Sequence, residues 1–119
     1  MSHEYKGSCH CGAVRFSYRG EEITKGLRCN CSICSRKGAM MSAEIISPDA
    51  LNIQASEDAL GLYQFAEKTA RHFFCKHCGI YTFHQTVRKP GHYRVNLGCI
   101  DEVDVFALDA DVFDGKHLL

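Results

Sequence analysis

Apolar and polar residues alternate with a period of two along much of this chain, and no stretch sustains the 3.6-residue period of a long amphipathic helix. In residues 13–19, Val14, Phe16 and Tyr18 alternate with Arg15, Ser17 and Arg19, which predicts a strand buried on one face. Residues 41–47 and 51–55 predict two further strands. Between them Ser47-Pro48-Asp49-Ala50 favours a turn, so the pair is expected to form a hairpin. Residues 60–65 and 70–75 read as strands around a polar turn at 66–69, and 80–85 as the strand that follows Cys75-Lys76-His77-Cys78-Gly79. Residues 92–98 put Tyr93, Val95 and Leu97 on one face. In the tail, 103–108 suits a short helix or strand and Val112-Phe113 a last edge strand. The expectation is a mainly β protein of small antiparallel sheets, one domain over residues 1–119, with no repeat or low-complexity segment.

The cysteines add the chemistry. Seven of the eight fall in three clusters: Cys9-x-Cys11, Cys29-x-Cys31-x-x-Cys34 and Cys75-x-x-Cys78. A CxxC turn between two strands is a zinc-ribbon knuckle. Its backbone N–H groups can bond the thiolates, and Gly79 is available for a positive φ. Cys9, Cys11, Cys75 and Cys78 would make a closed four-thiolate site joining distant parts of the chain and supporting the fold. Cys29, Cys31 and Cys34 would wrap a second ion with one position open, the arrangement of a catalytic zinc. Two alternatives stay open at this point. Cys99 could supply a fourth sulfur and close the second site, or the three loop cysteines could serve thiol–disulfide exchange. The histidines are poorer ligand candidates: His77 lies inside the knuckle, His10 between two cysteines, and His3 and His117 near the termini.

Compartment and charge narrow the classes. Met1-Ser2-His3-Glu4-Tyr5-Lys6 offers no apolar signal segment, which predicts a cytoplasmic address, where clustered cysteines favour metal over structural disulfides. Net charge is zero, so no overall field favours nucleic acid, and no apolar run approaches the ~20 residues that span a bilayer. The chain has no GxSxG elbow and no phosphate-binding glycine loop. Its basic residues gather at Arg36-Lys37, just after the three-cysteine loop, and at Arg88-Lys89 with His92 and Arg94. One reading is solvated charge at strand ends; the other is that some of them, with Arg36, Lys37, Arg88 and Arg94 as candidates, offset thiolate charge and capture the carboxylates of an anionic thiol.

The runs Cys9-His10-Cys11-Gly12-Ala13-Val14-Arg15-Phe16, Cys29-Asn30-Cys31-Ser32-Ile33-Cys34-Ser35-Arg36-Lys37, Phe74-Cys75-Lys76-His77-Cys78-Gly79 and Val95-Asn96 resemble the glutathione-dependent formaldehyde-activating enzyme family, also called centromere-protein-V-like. The resemblance spans nearly the whole chain. It implies an Mss4-like β-tent fold, a structural zinc on Cys9, Cys11, Cys75 and Cys78, and a catalytic zinc on Cys29, Cys31 and Cys34. It further implies glutathione as thiol co-substrate and formaldehyde as electrophile, joined and separated as S-hydroxymethylglutathione by a carbon–sulfur lyase. A β-tent module that binds zinc and protein partners without catalysis is the alternative reading.

Overall fold

The computed structural model describes residues 3–65 and 70–118. Among them ten strands form three small sheets. Strands β1 (His3–Ser8), β2 (Val14–Gly20) and β5 (Leu51–Ala55) make an antiparallel sheet in the order β1-β2-β5. A second sheet has the order β10-β3-β4, from β3 (Gly26–Cys29), β4 (Met41–Ser42) and β10 (Ala110–Phe113). The third is an antiparallel meander of β6 (Leu60–Tyr63), β7 (Arg71–Cys75), β8 (Tyr81–Gln85) and β9 (Tyr93–Val95). Helix α1 (Ser32–Lys37) follows β3, a 3-10 turn at Leu97–Cys99 follows β9, and α2 (Gly115–Leu118) follows β10. This is the mainly β, β-tent architecture. No helix among the described residues is long and apolar enough to cross a membrane.

The alternation in β2 is realised as expected. Val14, Phe16 and Tyr18 are buried, and they pack in a core with Tyr5, Ile46, Phe83, Val95, Leu97 and Ile100. Phe16 and Tyr93 both meet the Phe83 ring edge-on, at centroid separations of 5.9 and 5.8 Å, so the first and third sheets share that core.

Three expectations are corrected. The hairpin of 41–47 with 51–55 does not form. Ala50 N–H does close a turn on Ser47 O, but the flanking segments pair elsewhere. Leu51–Ala55 lies beside β2, where Phe16 faces Ile53, whereas Met41 pairs with Leu27 and Ile46 exchanges two hydrogen bonds with Tyr93. Paired in this way, Met41, Ile46 and Leu51 are all buried. The strand at 92–98 stops at Val95, because the Asn96 side chain accepts a bond from Gly98 N–H and turns the chain. Residues 103–108 form turns rather than a helix or strand. The last edge strand exists as β10, but it pairs parallel to β3, so the second sheet is mixed. Strands β1 and β3 and helix α1 were not expected from the pattern. The predicted turn at 66–69 lies outside the described residues.

Candidate metal centres and adjoining cavity

Strand β7 ends at Cys75, and the chain reverses through Cys75-Lys76-His77-Cys78-Gly79 into β8. Gly79 N–H donates to Cys75 O at 2.8 Å, with Gly79 at φ 81°, where a side chain would be strained. His77 N–H points at Cys75 Sγ from 3.3 Å. The turn between β1 and β2 is built alike: Cys9 N–H donates to Val14 O at 2.9 Å, and Val14 N–H to Cys9 Sγ at 3.3 Å. These two turns meet. Cys11 Sγ lies 3.7 Å from both Cys9 Sγ and Cys75 Sγ, and the four sulfurs of Cys9, Cys11, Cys75 and Cys78 all lie within 4.8 Å of one another. A tetrahedral ion with metal–sulfur bonds of about 2.3 Å spaces its sulfurs by about 3.8 Å, so this group fits a metal ion. Backbone N–H groups at Cys11 and Ile80 hold the Cys78 thiol down to about 6, which makes its thiolate available near neutral pH.

The second group sits where β3 passes into α1. Cys29 ends the strand, Cys31 is the N-cap of α1 and Cys34 lies within it, and their sulfurs are within 4.8 Å of one another. All three are half-buried. Burial pushes the Cys31 thiol up, but N–H groups of Cys34 and Ile33 and the neighbouring thiols bring it below its ordinary value. The C-terminal segment braces this loop. Phe113 pairs with Cys29 across β10 and β3, Asn30 N–H donates to Phe113 O, Asn30 Nδ2 donates to Asp114 Oδ1 at 3.0 Å, and Lys116 N–H donates to Asn30 Oδ1 at 2.8 Å. Cys99 belongs to neither group. Its Sγ faces Tyr81 O at 3.7 Å, and burial pushes its thiol up to about 12, the state of a small core residue. Both clusters could hold metal ions, one with four sulfurs and one with three.

The basic candidates separate. Lys37, one helical turn beyond Cys34, places Nζ 4.0 Å over the centroid of the Tyr81 ring, shielded from solvent and without a hydrogen-bond partner. Burial pushes its pKa down, and charge at Cys34, Cys31 and Cys29 pulls it partly back. Arg36 is exposed on α1 and donates to Ser32 O at 2.8 Å. Arg88 lies 4.3 Å over the Phe113 ring and so beside the residue paired with Cys29. Arg94, a candidate for binding a thiol's carboxylate, is instead buried: its Nη1 donates to Ser42 O at 2.9 Å and Ala43 O at 2.8 Å. A buried guanidinium needs acceptors, and these carbonyls supply them.

Three residues at this site were not singled out by the sequence. His72 and His84 face one another across β7 and β8, and Tyr81 Oη lies 2.6 Å from Nδ1 of His72 and 3.0 Å from Nδ1 of His84. Burial, reinforced by the Lys37 cation, holds His72 down to about 4 and His84 to about 2, so both rings are neutral at pH 7. The signal available was two histidines at matching positions in adjoining strands, legible only once the register is known. Beside them a cavity of about 500 Å³ opens between α1 and the β7–β8 hairpin, with Ile33, Lys37, His72, Phe74, Ile80 and Tyr81 among its walls.

This arrangement has known counterparts. A crystal structure of a Rhodobacter sphaeroides protein, a structural-genomics target, is similar at 35% identity and a TM-score of 0.77, over 89% of this chain and 99% of that one. A family model described as glutathione-dependent formaldehyde-activating enzyme matches residues 4–116, which include both sulfur groups and the cavity. The chain belongs to the glutathione-dependent formaldehyde-activating enzyme family.

Proposed function

We propose that this protein is a carbon–sulfur lyase that makes and breaks the bond between the sulfur of glutathione and an aldehyde carbon. The observation that carries this reading is the asymmetry of the two sulfur groups, four against three, with the cavity beside the three. An all-thiolate donor set suits zinc, with Cys9, Cys11, Cys75 and Cys78 holding a structural ion and Cys29, Cys31 and Cys34 a catalytic one. Zinc at the second group would supply the charge that keeps a substrate thiol ionised near neutral pH.

The chain's own residues bind and orient. Arg88, stacked on Phe113 beside the loop, and Arg36, exposed on α1, would take the carboxylates of glutathione from the solvent side. Lys37 Nζ, over the Tyr81 ring and under the influence of charge at Cys34, would donate to the oxygen of the electrophile. In the forward direction the thiolate sulfur attacks the carbonyl carbon. A C–S bond forms, the π pair moves onto oxygen, and that oxygen takes up a proton. Thiol and aldehyde thus give the hydroxyalkyl thioether with no oxidant, and the reverse reaction returns them.

Exchange spectroscopy by NMR tests this. Zinc-loaded protein should accelerate interconversion of formaldehyde plus glutathione with S-hydroxymethylglutathione, and Cys34→Ser should abolish the acceleration. A wild-type protein that leaves the uncatalysed exchange rate unchanged would favour the non-catalytic module.

A further inference from the structure

The cavity beside α1 is far larger than formaldehyde requires. At about 30 Å³ per water-sized group, a carbonyl of two heavy atoms needs on the order of 60 Å³, whereas the cavity holds about 500 Å³. Its walls are chiefly apolar, with Ile33 on one side and Phe74, Ile80 and the Tyr81 ring on the other. Lys37 is the cation among its lining residues, and charge at Cys34 acts on it. Glutathione carries two carboxylates and an ammonium. Burying them against these walls would leave most of that charge without partners, so its peptide belongs on the outer side, with Arg36 and Arg88. At the rim, the Tyr63 and Phe65 rings stack at 5.7 Å and the Phe65 and His72 rings at 5.9 Å, continuing an aromatic surface out of the cavity.

We propose that this cavity receives the carbon substituent of the electrophile, and that the protein's preferred substrates are thiol adducts of aldehydes bearing an aromatic or branched apolar group. The inference rests on the lyase reading for its chemistry. In this arrangement the reacting carbonyl would turn its carbon toward the three thiols, its oxygen toward Lys37 Nζ and its substituent toward Ile33, Phe74 and Ile80. Formaldehyde has no substituent to gain from that wall. Each buried methylene-sized group can raise specificity roughly tenfold or more.

The test uses the zinc-loaded full chain and glutathione, with formaldehyde and phenylacetaldehyde compared by NMR exchange. Phenylacetaldehyde should be processed with a kcat/KM at least about tenfold above that for formaldehyde. Ala39 also lines the cavity, so Ala39→Phe should fill it, remove that advantage and leave formaldehyde within about twofold. Ala39→Leu, a smaller change at the same wall, repeats the test with less risk to the fold. A wild-type preference for formaldehyde, or an equal fall for both aldehydes in the two variants, overturns the proposal. Binding of the unreactive 2-phenylethanol separates the two readings. Amide shifts at Ile33, Phe74 and Ile80 that disappear in Ala39→Phe support the cavity assignment even where no aldehyde is turned over, a result that sinks the lyase alone. Absence of those shifts overturns the assignment.

Discussion

The sulfurs of Cys11 and Cys75 stand 3.7 Å apart although 64 residues separate them in the chain. The β1–β2 turn and the β7–β8 turn therefore form one site, and an ion bound there would cross-link the first sheet to the third. Metal binding in such a site is part of the folding free energy.

Two ions per chain are expected from protein loaded with zinc under reducing conditions, measured by elemental analysis. One ion at saturating zinc would show that Cys29, Cys31 and Cys34 do not form a metal site. Cys99→Ser should retain both, because its sulfur lies with Tyr81 O rather than in either group.

The two sites should separate on mutation. Cys78→Ser removes one of four sulfurs from the cross-link and should unfold or aggregate the protein, as read by near-ultraviolet circular dichroism. Cys34→Ser should give a folded protein with one ion and no thiol-dependent activity. Equal loss of fold in both would assign the second site to stability rather than chemistry.

Glutathione should bind zinc-loaded protein far better than S-methylglutathione, whose sulfur cannot ionise, as read by titration calorimetry. Against this background Arg94→Met should lower stability by about 2–3 kcal/mol, since Ser42 O and Ala43 O lose a charged donor, and leave glutathione affinity within about twofold. Arg88→Ala should do the reverse. A glutathione affinity that falls with Arg94→Met and is unmoved by Arg88→Ala would place the carboxylates elsewhere.

Acid should destabilise the fold through His84. The folded protein holds this ring neutral down to about pH 2 through burial and the nearby Lys37, His72 and Arg94 charges, while the unfolded chain takes up a proton below about 6.5. The contribution is complete above about 6.5 and is lost as pH falls below it, at roughly 1.4 kcal/mol per pH unit for one group. At saturating zinc, the melting temperature of His84→Gln should be lower than wild type at pH 7 and fall less between pH 7 and 5.5. Parallel curves would show that His84 does not titrate on unfolding.

Close packing around Gly7 gives an independent check on the core. A Cβ there would stand 2.6 Å from the Phe16 ring and 2.9 Å from the backbone oxygen of Cys99. The ring can yield, but the carbonyl is backbone next to the Gly7–Ile100 bridge. Gly7→Ala should cost about 1–3 kcal/mol in denaturant unfolding. A neutral effect would mean that β1 sits further from the 3-10 turn.

What was legible in the sequence is what short spacing encodes. Cys29, Cys31 and Cys34 meet because few residues separate them, the Cys75–Gly79 turn closes by its own backbone bonds, and Val14, Phe16 and Tyr18 declare their face by alternation. The pairing of Leu51–Ala55 with β2 was not legible, because local turn chemistry at Ser47–Ala50 does not determine which strand buries the next apolar face. Nor were the roles of Arg94 and Lys37. Both are basic residues near strand or helix ends, yet one is bound to backbone carbonyls and the other lies over an aromatic ring without an acceptor. The His72–Tyr81–His84 contacts depend on the β7–β8 register, and a slip of one residue would turn His72 to the opposite face. Which cysteines group within one turn or loop was thus set by local chain geometry, while the joining of Cys9 and Cys11 to Cys75 and Cys78 was tertiary. The surroundings of those ligands were set by long-range strand pairing, because each pairing is chosen by the total apolar surface it buries rather than by any residue's neighbours in sequence.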